Sequence, residues 1–356
     1  MPVPSYSINW DDLLSSTLNN MTDVVYDNAF GSDPFWAKMH MNGKKEVEFG
    51  GAKIQRTVEY AQNSTVRAMN GYSPIDLTPQ EHLTEIVEEF REVAGSVSIS
   101  KREEIQNRGE HQQVALLSSK IKNLGKSFAT TMGRMLLVPS GSSLTAGTDG
   151  MTGATELLPL SQIVSGAANT VHSVSGSTYT WWDNTREKSL SSNNTTRTWN
   201  QFKTELIHQY LSSGVHNEGF PDLVLTSLAG YEKYIESMQS QVRYGSTEMA
   251  DMGFRTVALE GAELIWDRRC PGTSANAAAF VNYDSGSYAE ENFYFLNTDY
   301  LYLVVQGEAD MVQLPFQQSQ NQLARSAIVY FMGQLICTNR RTQRVLYGVD
   351  VSAITG

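Results

Sequence analysis

The sequence predicts an α+β fold, and three observations carry that expectation. Apolar residues at Val114, Leu117, Ile121, Leu124, Phe128, Met132 and Met135 recur at gaps of three and four, which lays one apolar stripe along one long helix. The segments 292–305 (NFYFLNTDYLYLVV), 327–338 and 344–349 are dense in aromatic and β-branched residues, the composition that suits a pleated, buried surface. Helical and strand patterns mix without regular βαβ alternation and without an internal repeat, which argues α+β. A chain of 356 residues has room for two domains or one large one, and for a sizeable core.

Taken in order, residues 1–42 lack sustained periodicity. Trp10, Leu13, Leu14, Phe30, Phe35 and Trp36 are scattered among Asp, Ser and Asn. Such a segment cannot build its own core, so another surface must cover its large apolar residues; the chain's own domain and a neighbouring molecule both qualify. Residues 44–60 alternate, with Val47 and Phe49, then Ile54, Val58 and Tyr60, and Gly50-Gly51 between them marks a bulge or bend. The polar tract 62–73 predicts a loop tip. Thr78-Pro79-Gln80-Glu81 has a helix-start pattern with proline at the first position, and Leu83, Ile86, Val87 and Phe90 agree with a helix. The same segment runs on into VSIS at 97–100, a strand pattern, so residues 78–90 are open locally. Glu85, Glu88, Glu89 and Glu92 form a solvated acidic face or, less commonly, a cation site.

Ser100 and Glu103 have capping-box spacing, and Asn107-Arg108-Gly109 breaks that first short helix. From about Gln112 the striped helix runs to Pro139, roughly 26 residues and about 40 Å. Gly125 and Gly133 each cost it about 1 kcal/mol against alanine, so packing must hold it; it is a long core helix or one arm of a short coiled coil. A Gly/Ser/Thr-rich loop follows at 140–155, then an apolar patch at 157–164. The polar stretch 172–198 is interrupted by Trp181-Trp182-Asp183-Asn184. Residues 199–210 predict a helix, 221–226 a buried strand, 228–241 a helix, and 254–267 two strands about a glycine.

Composition excludes several functions. The chain has 38 acidic against 27 basic residues, a net charge of −11, and no basic block, which disfavours sequence-independent grip on phosphates. Cys270 and Cys337 make no disulfide framework and are expected as free thiols in a reducing compartment. The start, MPVPSYSINWDD, lacks the charged and apolar regions of a secretory signal. No apolar run approaches the ~20 residues of a membrane span, so no membrane partner is expected.

No catalytic, cofactor-binding or metal-binding constellation is present in the sequence. Gly125-Lys126-Ser127 matches the tail of a phosphate loop, but Lys120 occupies the place of its first glycine, and the match lies mid-helix. Thr145 stands where G-x-S-x-G requires its last glycine. The six histidines are dispersed, His208 and His216 being the nearest pair. Cys270 beside Arg269 has a cation to lower its pKa but no base, and is expected inert. Trp181-Trp182 are a sugar or base platform, or an anchor for a loop or subunit contact.

Several pieces, in this order, resemble the major capsid protein of tailed bacteriophages with the Hong Kong 97-type fold: VSISKREEIQNRG with LLSSKIKNL, DGMTGATELLPLSQIV with STYTWWDN, PDLVLTSLAGYEKY with FRTVALEGAELIWD, FYFLNTDYLYLVV, and IVYFMGQLICTNRRTQRVLYGV. The resemblance implies an N-terminal arm (1–43), an extended β-hairpin loop (44–100), a peripheral domain with a long spine helix (101–154), an axial domain whose central sheet is flanked by helices (155–291), returning peripheral strands (292–347) and a C-terminal tail (348–356). It implies self-assembly through pentamers and hexamers into an icosahedral shell around a double-stranded DNA genome, in a virion assembled in host cytoplasm. A portal protein, a decoration protein and enclosed DNA held without tight binding belong to that expectation. The chain starts directly with the arm, which implies a separate scaffolding protein. The family's cross-linking lysine and asparagine cannot be matched here, so no covalent link is carried over.

The resemblance places the subunit interface on Trp10, Phe35, Trp36, Phe49, Lys53, Ile54, Arg56, Arg67, Trp181 and Trp182. The alternative of the same fold is an encapsulin-like bacterial compartment shell. A more distant alternative is a carbohydrate- or surface-binding protein using the tryptophan pair.

Overall fold

In the computed structural model, which describes residues 34–41, 44–72, 74–106, 110–137, 156–165, 169–192, 195–214, 219–238, 257–273, 280–281, 290–318 and 323–355, the β-prone run at 292–305 divides, and its halves enter different sheets. Glu291–Leu296 lies in a six-stranded sheet and Leu301–Gln306 in a five-stranded one. The turn between them is held by two side chains. Asp222 accepts from the Thr298 amide at 2.7 Å and from its hydroxyl at 2.5 Å, and Gln343 exchanges hydrogen bonds with the Asn297 backbone at 2.9 Å each.

The strands Leu223–Thr226, Glu291–Leu296 and Leu301–Gln306 are buried on both faces, which explains why they are continuously apolar rather than alternating. In the six-stranded sheet, Leu223, Leu225, Tyr294 and Leu296 face a large core shared with the five-stranded sheet. Val224, Phe293, Phe295 and Leu346 face the opposite way, against Phe202 and Leu206 of helix Trp199–Ser213 and Tyr231 and Tyr234 of helix Leu228–Ser237. Leu301, Leu303 and Val305 join the shared core, whereas Tyr302 and Val304 point to a third cluster. The two strands expected at 254–267 are Val257–Leu259 and Ala262–Trp266, turning at Gly261 with φ 143, a value that favours glycine.

The striped helix spans Glu110–Leu137, 28 residues. Ile121, Phe128, Met132 and Met135 are buried as the stripe predicts; the side chains of Val114 and Leu117 lie outside the described residues. The helix lies on strand Arg91–Ser100, where Gly95 permits the approach: a Cβ there would meet Leu124 Cδ1 at 2.7 Å. The expected capping box is present. The Ser100 amide donates to Glu103 and the Glu103 amide to the Ser100 hydroxyl, both at 3.2 Å.

The structure resolves the segment that the sequence left open: residues 83–89 are a strand, pairing antiparallel with Lys53–Glu59. The local helix signal fails at Thr78, whose amide and hydroxyl both bond the Asp76 carboxylate in a turn, and the strand register then sends Ile86 and Phe90 inward while leaving Leu83 exposed. The segment 44–100 contributes to three pairings. Lys45–Glu48 adds parallel to Leu301–Gln306 at the edge of the five-stranded sheet, the hairpin proper is 53–89, and Arg91–Ser100 pairs with the 14-residue strand Ala324–Cys337. The chain changes direction at Gly50 and Gly51, both at positive φ. The strands of 292–347 are divided between the two sheets. Glu291–Leu296 and Arg344–Val349 pair with each other inside the six-stranded sheet, because each long apolar run is broken by a turn that redirects its second half.

Candidate assembly surface

The hairpin divides into a packed root and an exposed tip. At the root, Ile54 and Ile86 are buried with Phe90, Val174, Trp182, Tyr302, Val304 and Ile336. Arg56 reaches back from the hairpin to the edge strand, bonding Glu46 at 2.8 Å and Glu48 at 2.5 Å, with its Nε donating to the Tyr302 hydroxyl at 3.2 Å. Glu46 and Glu48 are two residues apart on a strand, so both carboxylates reach one cation. The pairing holds the guanidinium's pKa above its ordinary value, against the opposing effect of desolvation.

Beyond Tyr60 the chain supports itself with short polar bonds. Asn63 accepts from the Thr65 amide and hydroxyl, Ser64 donates to Gln80 at 2.6 Å, and Arg67 donates to the Pro74 carbonyl at 2.7 Å. The polar atoms are thus satisfied within the loop, and the apolar side chains are left outside it. Tyr72 is 102%, Leu77 86% and Val66 82% exposed, with Ile75 and Met69 also uncovered. Fully burying one such side chain is worth about 1.5–3 kcal/mol.

The ten residues expected at an interface separate into distinct environments. Trp10 lies outside the described residues. Phe35 and Trp36 sit on helix Pro34–Met41 and are buried in their own chain's core, Trp36 edge-on to Phe331 at 6.0 Å. Ile54 and Trp182 are likewise buried, and the Trp182 indole donates to the Val171 carbonyl at 3.1 Å. The chain covers these four side chains itself. Arg56 is engaged within the chain. Trp181 is half-buried, stacked on Tyr60 at 5.3 Å, so the tryptophan pair seals the hairpin root to the body. Lys53 is exposed, 3.3 Å from Glu89; Phe49 and Arg67 are also exposed.

Sequence reasoning passed over the tip apolars, Val66, Met69, Tyr72, Ile75 and Leu77, because they follow no period and lie among Asn, Ser, Gly and Pro. Their signal was that apolar content in a non-periodic loop. It also passed over Arg340, fully buried, which donates to Ile163 O, Asn169 Oδ1 and Asn184 Oδ1 at 2.9–3.1 Å and lies 5.9 Å from the Trp182 ring centre. The acidic set does not converge: Glu85, Glu89 and Glu92 are exposed while Glu88 turns inward, and no cluster of metal-ligating side chains occurs among the described residues. Burial, with Asp267 and Glu291 nearby, pushes the Cys270 thiol well up, the opposite of activation. Among the described residues no helix is long and apolar enough to cross a membrane.

No protein-family model matches the chain, and no curated protein matches its sequence. Solved structures do. The capsid of cyanophage A-1(L) superposes with a TM-score of 0.61 over 89% of this chain and 92% of that one, at 10% identity. The chain has the capsid fold of tailed phages. The capsid of the native GTA particle matches with a TM-score of 0.53 over 86% and 87% of the two chains at 11% identity. The capsid of Myoviridae phage XM1 matches at 0.51 over 87% and 92%, with 13% identity.

Proposed function

We propose that this chain is the major capsid protein of a tailed phage, with the Hong Kong 97-type arrangement, and that it assembles through pentamers and hexamers into an icosahedral shell around double-stranded DNA. The observation that carries this reading is the match to the cyanophage capsid over 89% of this chain and 92% of that one. In this reading residues 1–43 are the arm, the hairpin at 53–89 is the core of the extended loop, the helix Glu110–Leu137 is the spine, and the six-stranded sheet with its two helices belongs to the axial domain.

The exposed tip supports the reading physically. One subunit leaves Val66, Tyr72 and Leu77 in water, and a neighbouring copy laid over them supplies the missing burial. A ring of such contacts is heterologous and closes by rotation. An acidic wall suits a shell that encloses DNA without gripping it. A scaffolding protein, a portal at one vertex and a decoration protein are the partners such a shell takes, assembled in host cytoplasm and retained in the virion. The role requires no catalytic centre.

The test is expression of the full chain, alone and with a scaffolding protein, followed by sedimentation and negative-stain microscopy. Closed shells are the expected result. A protein that stays monomeric at high concentration under both conditions overturns the proposal. Native particles that hold protein cargo and no DNA assign the shell to a cellular compartment instead.

A further inference from the structure

A small turn beside the hairpin root carries a buried histidine that the assembly reading does not use. Strands Thr170–Val171 and Val174–Ser175 pair antiparallel, and the two residues between them, His172 and Ser173, have φ of 52 and 66. Two successive left-handed residues make the tight hairpin turn that Asn-Gly ordinarily supplies. Here a histidine and a serine occupy it, and both side chains are used. The Ser173 hydroxyl donates to the Val87 carbonyl at 2.9 Å, and the Val87 amide donates to the His172 carbonyl at 3.2 Å. The turn tip is thereby joined to hairpin strand Leu83–Glu89.

The His172 imidazole, 1% exposed, spans from that strand to the central sheet. Its Nδ1 lies 3.1 Å from Glu88 Oε2, and its Nε2 accepts from the Cys337 amide at 3.0 Å. An Nε2 that accepts carries no proton, so the ring is neutral with its hydrogen on Nδ1, donating to Glu88. The charged and titratable groups around it are Glu88 from the hairpin, Arg340 from the loop after the long strand, and the Cys337 thiol, with Arg91 paired to Glu88 at 3.7 Å. Trp182 lies edge-on at 6.3 Å.

We propose that His172 is a proton-operated latch: neutral, it pins the hairpin root to strand Ala324–Cys337, and protonation of Nε2 releases the root from that strand. The proton comes from solvent and takes the Nε2 lone pair, so the bond from the Cys337 amide is lost. The new imidazolium faces Arg340, which three acceptors hold in place. Its pairing with Glu88 is strengthened at the same moment. The turn therefore leaves with the hairpin. Desolvation, with Arg340 adding to it and Glu88 opposing, holds the His172 pKa below its ordinary value. The closed form thus resists the proton, and the opened, solvated ring takes it in the ordinary histidine range. The latch is fully engaged above that range and weakens as pH falls through it, the opening equilibrium rising toward a limiting factor of about ten per pH unit until the closed form also protonates. It is a property of the single chain and holds whether or not the chain builds a shell.

The experiment is amide hydrogen exchange on the full-length, unassembled chain, expressed as protection relative to intrinsic exchange, at pH 7.5, 6.5 and 5.5. Protection in 83–89 is expected to fall roughly fivefold from pH 6.5 to 5.5, with 291–296 unchanged. His172→Gln can accept from Cys337 and donate to Glu88 but cannot take the proton, so its profile should be flat. A flat profile in the native chain, or the same fall in His172→Gln, overturns the latch. Should the variant fail to fold, imidazole NMR of the native chain decides. An Nδ1–H tautomer at pH 7 that titrates together with the loss of hairpin protection supports the latch; a protonated Nε2 at pH 7, or titration with no change in protection, overturns it.

Discussion

The guanidinium of Arg56, on the hairpin, donates to the carboxylate of Glu46, on the sheet's edge strand, at 2.8 Å. That bond ties two segments of one subunit. Arg67, at the tip, bonds only to the loop's own Pro74 carbonyl among the hydrogen bonds described. The two arginines therefore separate by experiment. Arg56→Glu sets three carboxylates against one another and is expected to destabilise the unassembled subunit by about 1–2 kcal/mol, since partly exposed pairs are worth ~1 kcal/mol or less each. Arg67→Glu should leave the subunit within about 0.5 kcal/mol of native while lowering particle melting temperature. Urea denaturation of the subunit beside thermal melting of particles checks both.

The tip is expected to matter to assembly and not to folding. Tyr72→Ser with Leu77→Asp removes apolar surface that the subunit leaves in water, so urea midpoints should stay native. Shell yield should fall sharply, because the variant loses about 1.5–3 kcal/mol per side chain at every contact. Normal yields of heat-resistant particles from the double variant would remove the tip from the contact.

Trp36 gives the opposite pattern. It is 2% exposed and lies against Phe331. Trp36→Ala is expected to cost the subunit about 3–5 kcal/mol, measured as loss of folded signal or a large drop in urea midpoint before any assembly step. A subunit of native stability would mean that the helix Pro34–Met41 docks elsewhere.

Both cysteines should be silent in the native chain. Cys270 and Cys337 are fully buried, and burial raises both thiols, that of Cys337 to about 12. At pH 8 neither is expected to react with a thiol reagent until the chain is unfolded, when two equivalents should react. Rapid native labelling of either would show that its segment opens.

Much of the fold was legible because periodicity is local. The stripe from Ile121 to Met135, the Ser100–Glu103 capping box and the two strands about Gly261 are each specified by residues within one turn or one hairpin, and the structure contains them. Partnership was not legible. Nothing near Lys45–Glu48 says that it pairs with Leu301–Gln306, and the helix-like pattern at 83–90 yields to a strand because Lys53–Glu59 and the Trp182 cluster offer Ile86 more burial than an isolated helix could. Whether an aromatic residue is a clasp or core depends on what covers it. Trp36 and Trp182 are covered by their own chain, while Tyr72 and Leu77 are not. The sequence by itself determined the type of the strongly periodic elements, the long helix and the apolar strands, since these follow from the spacing of apolar residues. Only the tertiary structure decided which large residues remain outside, and that a histidine inside a polar stretch reaches both Glu88 and Cys337, because these are contacts between segments 84 and 165 residues apart.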